Sequence, residues 1–122
     1  MGKKLIAIRG ATTIESDSAE QIAQKSTELV RLIVDRNNLK PNDIISITIS
    51  STADITASYP AKAIRESDIL GDTPLFSCLE PSIKGALPLC IRVMIMCQSK
   101  SAPNHIYLHG AKILRPDIKE NR

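Results

Sequence analysis

Apolar positions recur with two different periods along the chain. The segment 1–13, with its apolar part at 5–8, predicts a first strand. Isoleucine at alternate positions of 45–50 predicts a second strand that is half buried. Between these segments, four apolar residues recur at helical spacing, namely Ile22, Leu29, Leu32 and Ile33. This spacing predicts an amphipathic helix that ends at Arg36. We expect Asp17 to cap its N-terminus, because Glu20 follows three positions later as in a capping box.

The second half of the chain predicts one short helix and three further extended segments. Proline is favoured at the first helical position, so Pro60 is expected to start a helix over 60–67. Extended segments are predicted at 74–79, at 89–98 and at 105–114, the last as a strand or hairpin bent at a glycine. The order of elements predicts an α+β domain over 1–122, with a single mixed β-sheet and helices on one face.

Composition and charge exclude several classes of function. The chain has 122 residues, of which 43% are hydrophobic and 2% aromatic, and its net charge is +3. So few rings argue against binding of single-stranded nucleic acid by base stacking, and the small excess of charge argues against a duplex binder. The charge suits a small anion. We expect no membrane span, because the longest apolar run falls far short of about 18 residues.

Three cysteines lie in the second half of the chain, at Cys78, Cys90 and Cys97. Their number is odd, and no C-x-x-C spacing occurs among them. Because thiols stay reduced in the cytosol, we expect a cytoplasmic protein. No signal peptide is expected, because the stretch 5–8 is too short for an h-region.

Arg92 lies inside the apolar segment 90–97, where a strand would otherwise be buried on both faces. A guanidinium in such a place needs water or an anion. Three interpretations stay open: an edge strand that turns Arg92 to solvent, a buried ion pair, or a pocket for an anionic ligand. Arg9 also ends an apolar strand, and two strand-borne arginines that face one cavity would hold two anionic groups rigidly.

Four other side chains could belong to the same cavity, and each also has a simple structural interpretation. Lys62 and Arg65 are three residues apart and share a helical face, which is usually a solvated face. Glu80 lies in a turn, where most glutamates are surface charges. Tyr107 could direct its hydroxyl either to solvent or into a site.

The sequence contains none of the common catalytic or cofactor motifs. It has no G-x-S-x-G, H-E-x-x-H, G-x-G-x-x-G or Walker lysine loop. His105 and His109 would share a face of a strand, but no third ligand accompanies them, so we expect no zinc site. We therefore expect neither a metal nor a cofactor.

Four short motifs stand in the same order, and at compatible spacing, as in a known enzyme family. They occupy 8–13, 59–66, 90–94 and the ending formed by 107–108 with 114–117. Together they resemble the monofunctional AroH-type (Bacillus-type) chorismate mutases, and the likeness covers nearly the whole chain. The resemblance implies a homotrimer in which mixed sheets form a pseudo α/β barrel, with active sites between subunits. It also implies the Claisen rearrangement of chorismate to prephenate, in phenylalanine and tyrosine biosynthesis, without a cofactor.

The resemblance further implies catalytic roles for two residues. Arg92 would face the ether oxygen of the breaking bond, and Glu80 would hydrogen-bond the ring hydroxyl of the substrate. In the family the glutamate stands three residues after the cysteine, whereas here Glu80 stands two residues after Cys78.

Substrate-binding roles are implied for eight further residues. Arg9 and Tyr107 would hold a substrate carboxylate, and Cys78 would line the site beside the catalytic glutamate. The adjoining subunit would supply a wall made of Tyr59, Lys62 and Arg65. Leu114 and Arg115 would lie near the mouth, and a flexible tail at about 116–122 would act as a partial lid.

Two other functions remain possible from the sequence. One is a trimeric enamine or imine deaminase, which shares the general architecture and has an arginine in an intersubunit cleft. The other is a trimer that binds small anions without catalysis.

Overall fold

A computed structural model describes residues 2–118. Five strands are formed, β1 at Lys4–Thr13, β2 at Ile44–Ser51, β3 at Leu75–Leu79, β4 at Cys90–Ser99 and β5 at Ile106–Tyr107. Two α-helices, α1 at Ala19–Arg36 and α2 at Pro60–Glu66, and two 3₁₀ helices, at Pro41–Asp43 and His109–Leu114, complete the elements. None of the helices within 2–118 is long and apolar enough to cross a membrane.

The five strands form one mixed sheet in the order β3-β2-β4-β1-β5. Strand β4 runs antiparallel to both β1 and β2, whereas β3 is parallel to β2 and β5 is parallel to β1. The predicted α+β class with a single mixed sheet is confirmed. Since β4 lies in the middle of the sheet, the interpretation of Arg92 as an edge-strand residue is wrong.

Helices α1 and α2 cover one face of the sheet and bury the aliphatic core. Ile8, Leu29, Ile47 and Ile95 are completely buried there. At Gly10 a Cβ would lie 2.7 Å from Cδ1 of Ile33 and 3.0 Å from the carbonyl oxygen of Ile106. Such distances are too short for a side chain, so glycine at this position lets α1 pack closely against β1.

The other face of the sheet, termed the open face below, is exposed in the single chain. It carries the side chains of Arg9, Thr48, Phe76, Arg92 and Met94, which are related by strand register and by alternation along each strand. Met94 is 42% exposed and Phe76 is 69% exposed. The expectation that β4 is buried on both faces is therefore wrong for the isolated chain, because only the helix-covered face is buried.

The N-terminus of α1 differs from the prediction. Ser18 is the N-cap, and its Oγ accepts a hydrogen bond of 3.2 Å from the backbone N–H of Gln21. The carboxylate of Asp17 instead accepts hydrogen bonds from both the hydroxyl and the backbone N–H of Thr56. Serine and aspartate both serve well as caps, so the sequence alone does not show which one a distant loop engages.

The C-terminal segment is also different from the predicted strand or hairpin. Only Ile106–Tyr107 pairs with β1, and a 3₁₀ helix follows at His109–Leu114. The backbone turns at His109, which has a left-handed φ of 52°, rather than at the glycine after it. Of the predicted tail at 116–122, residues 119–122 lie outside the described part, while Ile118 packs against a buried cluster that includes Tyr107.

Candidate active site

A cavity of about 210 Å³ lies on the open face, where β1, β2 and β4 run side by side. Four of the predicted site residues line it, namely Arg9, Glu80, Arg92 and Tyr107. They come from four different segments of the chain. The cavity therefore depends on strand register, which places Ala11 of β1 and Ser50 of β2 on either side of Arg92.

Arg92 projects from the centre of β4 into this cavity and is partly exposed. Its Nε lies 3.6 Å from Oε2 of Glu80, and the two side chains are 39% and 21% exposed. The ion pair that the sequence left open is thus formed, but at the floor of a cavity that is open to solvent. A rigid central strand holds the cation where an anionic ligand can reach it.

Glu80 follows β3 directly and continues its pairing with β2. Its backbone N–H donates to the carbonyl oxygen of Ser51 at 2.9 Å, and its Oε2 accepts a hydrogen bond from the hydroxyl of Ser50. Because side chains two residues apart share a strand face, the two-residue spacing after Cys78 directs Glu80 toward Arg92. The departure from the family spacing is therefore compatible with a carboxylate in the cavity.

Arg9 and Tyr107 enter the cavity from β1 and β5. The backbone N–H of Arg9 donates to Nδ1 of His105 at 3.0 Å. Tyr107 is only 5% exposed and packs in a small cluster with Ala11 and Leu114. The strands therefore fix both residues by their backbone and their packing.

Arg115 lies next to this group, at the start of the last described segment. Its guanidinium donates two hydrogen bonds to Asp117, at 3.0 and 2.8 Å, and it also interacts with Tyr107. These hydrogen bonds to Asp117 raise the pKa of Arg115, and they lower the pKa of the Asp117 carboxyl. Arg115 is thus a permanent cation beside the cavity.

The four predicted binding residues within 59–78 do not line this cavity. Tyr59, Lys62 and Cys78 line a neighbouring cavity of about 620 Å³ at the β2–β3 edge of the sheet. Arg65 is exposed on α2. Cys78 is paired with Ser50 and so shares the open face with Glu80, but it lines the cavity that contains Tyr59 and Lys62.

The two histidines do not form a shared site. His105 bonds to the backbone of Arg9, whereas Nε2 of His109 lies 2.8 Å from Oε1 of Glu28 on α1. Among residues 2–118 there is no group of three or more His, Cys, Asp or Glu side chains that could hold a metal ion.

Two contacts at the site, of Ser50 with Glu80 and of His105 with Arg9, are not predicted by the sequence. Ser50 lies in the alternating strand 45–50, and alternation does not give the strand register that brings it to Glu80. For His105 the available signal is its position two residues before Tyr107, but its partner is a backbone amide 96 residues away along the chain.

The fold and the cavity define a protein with a single mixed sheet and two arginines in a cavity on its open face. Comparisons with known proteins identify its family. The family model described as chorismate mutase type I matches residues 5–118. Chorismate mutase AroH of Bacillus subtilis (strain 168) is 40% identical over 114 residues, which cover 91% of this chain and 90% of the relative. Chorismate mutase AroH of Thermus thermophilus is 33% identical over 116 residues, covering 92% and 94%.

A solved structure is also similar. Chorismate mutase from Clostridium thermocellum matches with a TM-score of 0.84 and 36% sequence identity, over 88% of this chain and 98% of that one. The chain therefore belongs to the type I chorismate mutase family. It is an isomerase, and the resemblance stated from the motifs is confirmed.

Proposed function

We propose that this chorismate mutase converts chorismate to prephenate in the cavity of the open face, by electrostatic stabilisation and conformational control. In this proposal Arg9 and Tyr107 bind a substrate carboxylate, Arg92 faces the ether oxygen, and Glu80 accepts a hydrogen bond from the ring hydroxyl. The observation that carries the proposal is the convergence of these four side chains in one cavity.

The reaction needs no proton transfer and no covalent intermediate. Chorismate is a dianion that must fold into a chair-like conformation before the bonds rearrange, and fixed cations can hold that conformation. Arg9 and Arg92 both project from paired strands, so little reorganisation is required when substrate binds.

Arg92 is proposed to act mainly in the transition state. The C–O bond lengthens ahead of C–C bond formation, so negative charge develops on the ether oxygen. A cation placed at that oxygen interacts more strongly as the charge grows, an effect of about 3 kcal/mol for one well-placed donor. The contact of its Nε with Glu80 orients the guanidinium from one side.

We further propose a homotrimer with sites between subunits. The cavity of about 210 Å³ is smaller than the roughly 300 to 1,000 Å³ of ordinary small-molecule pockets, which favours an additional wall from another chain. The exposed side chains of Phe76 and Met94 beside it give the open face an apolar character suited to burial against a second copy. Tyr59, Lys62 and Arg65, which lie elsewhere in their own chain, would form that wall.

A cytoplasmic location is proposed from the cysteines. Cys78, Cys90 and Cys97 are free, and burial raises the pKa of the Cys90 and Cys97 thiols. Unpaired, protonated thiols are typical of a reducing compartment.

Incubation of the purified protein with chorismate tests the proposed function. We expect saturable loss of chorismate with stoichiometric formation of prephenate. Binding without turnover would indicate the anion-binding trimer, and turnover of an imine with no turnover of chorismate would indicate the deaminase; either result overturns the proposal. Measurement of the molar mass in solution tests the trimer, and a monomer at assay concentration would contradict it.

A further inference from the structure

The side chain of His105 forms a hydrogen bond with the backbone of Arg9. His105 lies directly before β5, and its Nδ1 accepts the backbone N–H of Arg9 at 3.0 Å. The parallel pairing of β5 with β1 begins one residue later, at Gly10 and Ile106. The imidazole therefore supplies the acceptor that β5 itself does not provide to the amide of Arg9.

This hydrogen bond determines the tautomer of the His105 imidazole. A nitrogen that accepts a hydrogen bond carries no proton, so the proton of the neutral imidazole is on Nε2. Burial lowers the pKa of His105, and so do the positive charges of Arg115, from the C-terminal segment, and of Arg9, from β1. All three effects favour the neutral ring that the hydrogen bond requires.

The position of the bond along β1 connects it to the cavity. The amide of Arg9 belongs to the same residue whose guanidinium lines the cavity, and the neighbouring Gly10 lines it as well. Because the backbone at residue 9 sets the direction of the side chain, a shift at this amide moves the guanidinium. Misplacement of a binding group by about 1 Å can change a rate by as much as 100-fold.

We propose that His105 is a positioning residue, whose neutral imidazole holds the backbone of Arg9 so that the guanidinium meets a substrate carboxylate. This inference rests on the proposed binding role of Arg9. It assigns to His105 an effect on substrate binding rather than on the rearrangement itself.

Two substitutions of His105 distinguish the loss of the hydrogen-bond acceptor from the loss of the imidazole ring. In His105→Asn the side-chain oxygen can take the place of Nδ1, whereas His105→Leu fills similar space without an acceptor. We expect His105→Leu to raise KM for chorismate about tenfold with little change in kcat, as the loss of one hydrogen bond predicts. His105→Asn is expected to restore most of that loss. An equal loss in both variants would overturn the proposal.

A variant that combines His105→Leu with Arg9→Ala tests whether His105 affects KM by positioning Arg9. If it does, His105→Leu adds little to the KM of Arg9→Ala, because the group that it positions is already gone. If the two losses multiply, the role of His105 is wrong. An unchanged KM in Arg9→Ala alone would instead contradict the proposed binding role of Arg9, so the two failures are distinguishable.

The pH dependence of KM supplies a readout for a case in which His105→Leu does not fold. Protonation of Nδ1 would place two donors opposite each other, so we expect KM of the unmodified enzyme to rise as pH falls from 7.5 to about 5. The His105→Asn variant is expected to show no such rise. A flat or falling KM in the unmodified enzyme, or the same rise in the variant, would overturn the proposal.

Discussion

The two faces of the sheet carry opposite kinds of side chain although the same strands form both. On the helix-covered face Ile8 and Ile95 are completely buried, whereas Arg9 and Arg92, each within three residues of one of them, line a cavity on the open face. Because side chains alternate along a strand, neighbouring residues such as Ile8 and Arg9 point to opposite faces, one into the core and the other into the cavity. Substitutions on one face are expected to affect folding, and those on the other to affect turnover.

The largest effect is expected from Arg92→Ala on the open face. Removal of the proposed transition-state cation should lower kcat by about 100- to 1,000-fold, with a much smaller change in KM. The free energy of unfolding should change little, because the side chain is partly exposed. Steady-state kinetics and urea denaturation measure the two effects, with Arg31→Ala on the exposed side of α1 as control. Equal losses of kcat for both variants would contradict the assignment.

Gly10→Ala is expected to lower the free energy of unfolding more than Arg92→Ala does. The new methyl group would lie 2.7 Å from Cδ1 of Ile33 and 3.0 Å from the carbonyl oxygen of Ile106, so the Ile33 side chain or the backbone must shift. We expect a loss of about 1 to 3 kcal/mol in the free energy of unfolding, and a smaller loss of kcat than in Arg92→Ala. Gly2→Ala, where a Cβ meets nothing within 4 Å, is the matched control. A Gly10→Ala protein as stable as the control would refute the close approach.

Glu80→Ala tests how much Arg92 depends on its partner. The change removes the proposed acceptor for the substrate hydroxyl and the contact of 3.6 Å that orients the guanidinium. We expect kcat to fall about tenfold, the effect of one lost hydrogen bond to a charged group. Glu66→Ala on α2 should leave kcat unchanged. If both variants behave alike, the carboxylate has no part in the site.

The proposed wall from the adjoining subunit is expected to contribute less. Lys62→Ala and Arg65→Ala should each raise KM several-fold with little loss of kcat, because flexible exposed cations mainly attract the dianion. Initial-rate measurements over a range of chorismate concentrations test this, with Lys100→Ala as the control cation. A drop in kcat as large as that of Arg92→Ala would contradict the division of roles.

The smallest effects concern pH. The pKa of His105 is lowered from its ordinary value of 6.5, so the unfolded chain binds more protons below that pH than the folded one. The contribution of His105 to stability should therefore be constant above about pH 6.5 and decrease below it, and His105→Asn should lack this contribution. In contrast, kcat should be flat between pH 6.5 and 8, since no group transfers a proton. A bell-shaped kcat profile would contradict the mechanism.

The sequence was sufficient for those elements whose pattern is local. The bounds of α1 at Arg36 and the start of α2 at Pro60 follow from periodicity and from the preference of proline for the first turn. The prediction of a strand or hairpin over 105–114 was wrong because the left-handed conformation of His109 ends the strand, and no local signal marks that residue. The prediction that Asp17 caps α1 was wrong because Asp17 bonds instead to Thr56, which is distant along the chain.

Part of the candidate site was also accessible from sequence. A cavity for an anion was one of three interpretations of the arginine within the apolar segment 90–97, and in the structure Arg9 and Arg92 line one cavity. The contact of Ser50 with Glu80 and that of His105 with Arg9 could not be found, because both depend on strand register. Register is set by the tertiary fold rather than by any single segment.

The structure of the protein with a non-reactive analogue of the folded dianion tests the central claim most directly. We predict that the analogue lies on the open face, with Arg92 at its ether oxygen and Arg9 at a carboxylate, and that Lys62 or Tyr59 of a second chain closes the same cleft. An analogue bound at the cavity that contains Cys78, in contact with one chain alone and remote from Arg92, would contradict the account.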